Sequence, residues 1–186
     1  AGFIGFALAP RINAAGRISS AEKAVELLLS ESIEDAAEKA QELCEINLRR
    51  QKEENRIAEE AYKMIEETHD FENDRVIVLS ADAWQQGIIG IVSSRITEKY
   101  GLPSILISFE GAVTGEPTPE DVGKGSGRSV KGLNLVDALA DSRELLVRFG
   151  GHELAAGFTI ARDKIDAFRD AIGAMARDYY ADTLCR

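Results

Sequence analysis

Cysteine, histidine and tryptophan are scarce in this 186-residue chain, with two, two and one respectively. Cys44 and Cys185 lie far apart, and no CxxC or Cys/His spacing surrounds either, which rules out reading a zinc cluster or a disulfide scaffold. Two cysteines without a secretory signal favour a reducing, cytoplasmic setting. There is no HExxH, so no metal-hydrolysis motif is legible, and no Ser–His–Asp arrangement stands out in the linear order. No apolar run reaches membrane-span length, so no membrane partner is expected. Residues 1–10 are apolar but lack a basic leader and a cleavage pattern, and read as core cut from a larger protein. Internal repeats and low-complexity tracts are also missing.

What is present is a core-forming composition, 45% hydrophobic, with a formal net charge of -10. The acidity is local. Between Glu31 and Asp74 there are 15 acidic and six basic residues, which leaves 17 acidic and 16 basic elsewhere. An acidic chain at first argues against nucleic acid, but outside that segment basic patches are permitted. Lys124, Arg128 and Lys131 form one run without acids, and Arg11 and Arg17 form another.

Residues 9–18 read as a loop with two arginines and an asparagine, followed by a helix capped by Ser19 with Glu22. Ser32 and Asp35 mark the next helix start. From Ile33 to Thr68 there is no proline or glycine, and apolar residues recur at helical spacing. That stripe fails over 49–56, as in a solvent-bridging connector between two bodies or a bundle helix with a wet section. After a break at 70–74, Arg75 to Ser80 reads as a buried strand and Ile88 to Tyr100 as a helix stopped by Gly101 and Pro103. Ser104 to Phe109 is a second strand, completing a βαβ unit. Residues 110–123 read as an exposed loop and 124–130 as a glycine-spaced strand or bulge. Asn134 caps a short helix, and a further helix is expected over 143–149. A Gly-Gly-His turn, a strand at 157–160 and a last helix from Asp163 to Tyr179 complete the chain. The pattern predicts an α/β fold, a mixed β-sheet flanked by helices and preceded by the long connector helix.

Two stretches suit an anion. Gly150 and Gly151 free the backbone, and His152 stands at the bend, which can form a small nest of N–H groups; the alternative is a tight turn with a hydrogen-bonded histidine. In Gly125-Ser126-Gly127-Arg128-Ser129 the arginine offers a forked donor and the serines hydroxyls; the alternative is a β-bulge with an exposed arginine. The run lacks the Lys-Ser/Thr ending of a P-loop. Arg11, Asn13 and Arg17 offer a second polar clamp, or else a solvated loop. Trp84 could stack on a base, but packing is the favoured reading. The residues point to phosphate binding more than to bond breaking.

Four segments taken together resemble the RecJ family of single-strand-specific 5′-to-3′ DNA exonucleases: Pro10-Arg11-Ile12-Asn13-Ala14-Ala15-Gly16-Arg17; the run from Trp84 to Arg95; Gly125 to Ser129; and Phe149 to Gly157. The resemblance spans nearly the whole chain. It corresponds to the DHH-associated domain and the long helix that joins it to a catalytic DHH domain.

The resemblance implies a junction over 1–32, a connector helix over 33–70 and a substrate-binding domain over 71–186. It implies Mn or Mg ions in the parent enzyme, bound by Asp and His ligands of an N-terminal DHH domain whose motifs this sequence lacks. This chain is then expected to be a C-terminal fragment that binds no metal and is inactive alone. The expected partners are single-stranded DNA and the missing DHH domain. By resemblance, Ser126, Arg128, Gly150, Gly151 and His152 contact DNA phosphates, with Gly127 between them, and Arg17 or Arg11 stands at the domain junction. Where the family often has histidine after the tryptophan, this chain has Gln85. The rival readings are a DHH phosphodiesterase acting on short oligonucleotides or cyclic dinucleotides, and a non-enzymatic interaction domain of the same fold.

Overall fold

The computed structural model describes residues 2–109 and 121–184, the last four by backbone alone. The chain forms two compact units, Ala1–Arg56 and Ile57–Arg186. Cys185 and most of the expected loop over 110–123 lie outside the described residues.

In the first unit a short π-helical stretch (Ile4–Leu8) leads into α1 (Ala9–Ile18), then α2 (Glu22–Leu28) and the beginning of α3 (Ile33–Thr68). The loop expected over 9–18 is therefore a helix. Pro10 stands in its first turn, directly after the π-helical stretch, and does not break the helix. Ser19 does not cap α2. It ends α1, donating its N–H to the Ala15 carbonyl at 2.9 Å, and Ser20 Oγ accepts from Glu22 N at 3.2 Å instead. Ala14, Ala15, Ala24, Leu43 and Ile46 form a small core. With alanines at three of these five positions, helix backbones can approach closely.

Helix α3 spans Ile33–Thr68 without interruption, as its composition predicts. Ser32 Oγ accepts from Asp35 N at 3.1 Å, the expected cap. None of residues 49–56 is buried, whereas Leu43 and Ile46 before them and Ile57 and Ala58 after them are. Arg50 pairs with Glu54, and Arg56 with Glu53, one turn apart along this wet stretch. Such pairs each contribute only a few tenths of a kcal/mol, about 0.2–0.5. The middle of the helix is thus sustained by propensity and local pairing.

The second unit contains a five-stranded sheet in the order β1-β2-β3-β5-β4. β1 (Ile77–Ala81) and β2 (Ser104–Ser108) are parallel, joined by α4 (Gln86–Tyr100) as a βαβ unit. The remaining neighbours, β2 with β3 (Val122–Arg128), β3 with β5 (Ala155–Ala161) and β5 with β4 (Leu146–His152), are antiparallel. Gly101 ends α4 in the left-handed region at φ 67°, as its position in the sequence predicts. Inside the sheet–helix interface, Ser93 Oγ donates to the Ser104 carbonyl at 3.0 Å, so these buried serines are satisfied. Trp84 is buried, with its indole N–H on Glu60 at 3.0 Å, which makes it a packing anchor.

The other sheet face is covered by α5 (Leu135–Asp141) and α6 (Ile165–Leu184), around a core that includes Ile105, Phe109, Phe158, Phe168 and Ile172. Asn134 caps α5 by accepting from Val136 N at 3.1 Å. The helix expected over 143–149 does not form. A single 3-10 turn (Arg143–Leu145) gives way to β4, because Val147 and Phe149 suit a pleated edge and β5 supplies a ladder for them. No helix of the described residues is long and apolar enough to cross a membrane.

The C-terminal end of α3 and the C-terminal end of α4 meet through aromatic rings. Phe71 lies 5.5 Å from Tyr100 and 4.6 Å from His69, centre to centre, and the Lys99 ammonium sits 3.9 Å over Tyr62. The His69 side chain is only 6% exposed, its Nε2 has no hydrogen-bond partner among the described residues, and Nδ1 is 3.8 Å from Asp74. Burial pushes the His69 pKa down, against a weaker opposing pull from Asp74 and Asp70.

Candidate nucleic-acid interface

The β3 sequence Val-Gly-Lys-Gly-Ser-Gly-Arg alternates with the pleat. Gly123, Gly125 and Gly127 face the core, and Lys124, Ser126 and Arg128 face the opposite side. The inward glycines make room for large side chains. A Cβ at Gly125 would fall 2.1 Å from the Phe158 ring, and one at Gly127 would fall 2.7 Å from Leu135. These glycines bring core side chains, not a ligand, close to the backbone.

The outward residues line up in rows through the sheet register. Arg128 pairs with Ala155, which pairs with His152. Ser126 pairs with Gly157, which pairs with Gly150. Lys124 pairs with Thr159, which pairs with Arg148. Residues in register share a face, so one side of β3, β5 and β4 carries three rows. The middle row is almost bare, since Gly150 and Gly157 are exposed and a Cβ at Gly150 would meet nothing within 4 Å. Cationic residues stand on either side of this glycine floor. Gln86 and Ile89 of α4, the glycine row and the row of Lys124, Thr159 and Arg148 line a groove of about 430 Å³.

Arg128 Nη1 donates to the Gly127 carbonyl at 2.7 Å and to Ser126 Oγ at 3.3 Å, which holds the guanidinium beside the serine. Gly90 of α4 makes this seat possible, because a Cβ there would lie 2.8 Å from Ser126 Oγ and 3.0 Å from Arg128 Nη2. A glycine inside a helical run is the sequence signal for such a seat, but it names no partner. Arg148 Nε donates to Thr159 Oγ1 at 3.1 Å, and Thr159 is buried. Only the strand register reveals Lys124, Arg148 and Thr159 as one row.

The Gly-Gly-His segment is not a turn. All three residues belong to β4, and the chain reverses at Glu153 and Leu154. Gly151 faces the core side at φ 151°, and a Cβ there would fall 2.4 Å from the Ala155 carbonyl oxygen. A side chain at Gly151 would therefore collide with β5 backbone, and it is Gly150 that opens onto the groove. Of the expected residues in this unit, Ser126, Arg128, Gly150 and His152 share the open face, and Gly127 and Gly151 face away from it. In the first unit, α1 presents Asn13 and Arg17 one turn apart and exposed. Arg11 points to another side of the helix, donates to the Ala7 carbonyl and lines a hollow with Cys44 and Asn47. The three do not form one clamp.

A family model described as the DHHA1 domain matches residues 73–178, which include the whole sheet and the groove. The chain belongs to the DHHA1 domain family. Its sequence is 35% identical, over 93% of its length, to the single-stranded-DNA-specific exonuclease RecJ of Bacillus subtilis, and 33% identical, over 97%, to that of Escherichia coli. It spans 21% and 31% of those proteins. Crystal structures of Thermus thermophilus RecJ, one with Mg²⁺ and one with Mn²⁺, superpose on 94% of the chain with a TM-score of 0.80 and 35% identity. The chain covers about a quarter of those structures, 25% and 24%.

Metal ions in those relatives raise the question of a site in this DHHA1 chain. Among the described residues, no three His, Cys, Asp or Glu side chains come together to hold an ion. The cationic rows of this face are also the wrong chemistry for one, since lysine and arginine do not ligate hard cations.

Proposed function

We propose that this chain is the substrate-binding part of a metal-dependent 5′-to-3′ single-stranded-DNA exonuclease, with a junction over 1–32, a connector helix over 33–70 and the binding domain over 71–186. The open face of β3, β5 and β4 positions DNA phosphates. Mn or Mg ions and the bond-breaking step belong to a DHH domain outside these residues. The observation that carries this reading is the register that sets Ser126, Arg128 and His152 beside the bare floor of Gly150 and Gly157. Arginine gives a bidentate, charge-assisted grip on phosphate, the serine hydroxyl and imidazole N–H add single bonds, and glycines let backbone N–H groups come close. The names and metal contents of the relatives supply the reaction class.

Two features of the first unit agree with this placement. Phe3, Ile4 and Phe6 are more than half exposed, an apolar surface of the kind that packs on a further domain. Asn13 and Arg17 offer another polar contact to the strand or to that domain.

The test is binding of a 5′-phosphorylated oligothymidylate by the chain and its Arg128→Ala, His152→Ala and double variants, each with its melting temperature. Each single loss should cost about 1.5–3 kcal/mol of binding, the value of a charge-assisted hydrogen bond. The double variant should lose less than the sum if both hold one phosphate. Unchanged binding with lowered melting temperatures would leave only a structural arginine and histidine.

A further inference from the structure

We propose that the row of Lys124, Thr159 and Arg148 is a second phosphate site, so that the face binds a run of nucleotides rather than one terminal phosphate. This rests on the reading of the Arg128–His152 row as the first site. Lys124 and Arg148 are exposed and in register with the same β5 residue, Thr159. The hydrogen bond from Arg148 Nε to Thr159 Oγ1 fixes the stem of the arginine and leaves its Nη groups to turn outward. Lys124 to Arg128 is four residues of strand, about 13 Å at 3.3 Å per residue. At that separation the two rows offer two cationic ends to a strand, one phosphate to each.

The glycine floor between them tells how the ligand lies. A sugar–phosphate backbone crossing from one row to the other passes over Gly150 and Gly157, where no side chain stands in its way. The path runs along the strand direction of β4 and β5, and the groove admits it between α4 residues Gln86 and Ile89 and the sheet. All the charged contacts are to phosphate, so binding should be indifferent to base sequence. The same arrangement gives a preference by length: a mononucleotide fills one row, and an oligonucleotide fills both.

The experiment uses the 186-residue chain with two probes, thymidine 5′-monophosphate and a 5′-phosphorylated oligothymidylate, each measured over a range of salt. Lys124→Ala with Arg148→Ala should weaken the oligonucleotide about tenfold or more and leave the mononucleotide unchanged. It should also flatten the slope of log K against log salt by roughly one for each cation removed. If the alanine pair melts lower, Lys124→Gln with Arg148→Gln replaces it. Arg128→Ala should weaken both probes. Oligonucleotide affinity and salt slope left unchanged by the 124/148 pair, while Arg128→Ala still acts, would overturn the second site alone. Equal loss of both probes in the 124/148 pair would also overturn it, by merging the rows. No effect from either variant would overturn the phosphate-binding reading beneath it.

Discussion

Gly150 and Gly151 are adjacent in sequence, yet alanine at the two positions should have opposite consequences. At Gly151 the backbone sits at φ 151°, which L side chains rarely adopt, and a Cβ would lie 2.4 Å from the Ala155 carbonyl oxygen and 2.5 Å from Ala156 Cα. Backbone atoms of a paired strand cannot move aside without breaking the β4–β5 ladder. The conformational strain alone is worth about 1–3 kcal/mol, and the clash adds to it. Gly151→Ala should therefore lower stability by at least that amount. At Gly150 the φ is ordinary and the Cβ direction is empty, so alanine costs the fold nothing and even gains about 0.4–1 kcal/mol by restricting the unfolded chain. That methyl would stand on the groove floor, where a phosphate backbone must approach. Gly150→Ala should keep or slightly raise the urea midpoint and still weaken oligonucleotide binding. Urea melts followed by circular dichroism, alongside fluorescence anisotropy with a labelled single strand, read both effects. A Gly151→Ala chain that melts like the parent, or a Gly150→Ala chain that unfolds at markedly lower urea, would refute this division between the two glycines.

Amide hydrogen exchange should be fastest along α3 over 49–56, where no residue is buried, and slower on both flanks; uniform protection would mean that this stretch is covered. His69 has its folded-state pKa pushed below the ordinary 6.5 by burial, so the unfolded chain binds the proton more readily. Stability should then fall as pH drops below about 6.5, and His69→Phe should flatten that fall in melting temperature; an unchanged acid limb would place the sensitive group elsewhere. The 186-residue chain should bind single-stranded DNA without hydrolysing it in Mg²⁺ or Mn²⁺, since no ligand cluster forms among its described residues. Chelator-sensitive cleavage by the pure chain would contradict the assignment of chemistry to another domain.

Elements governed by local rules were legible in the chain itself. Helix α3 follows from an unbroken run of helix formers behind a Ser32 cap, and its wet middle from the loss of the apolar stripe. The stop at Gly101 follows from glycine's access to positive φ, and the βαβ unit from an apolar strand, a helical run and a second apolar strand. The resemblance picked out Ser126, Arg128 and the Gly-Gly-His segment as candidates. Where local signals conflict, the sequence misled: Pro10, Asn13 and Gly16 look like a loop, yet Ala14 and Ala15 bury α1 against a core of small residues. Residues 143–149 have helix propensity, yet after one 3-10 turn they become an edge strand from Leu146 on, because β5 supplies a ladder. Tertiary structure alone decided which glycines serve the core and which serve the groove. Strand alternation sends Gly125, Gly127 and Gly151 inward and Gly150 outward, and which of the two faces is the core is decided by the packing of α5 and α6. The strand register joins Lys124, Thr159 and Arg148 into one row, because pairing across a sheet is a long-range choice set by which faces can be buried together.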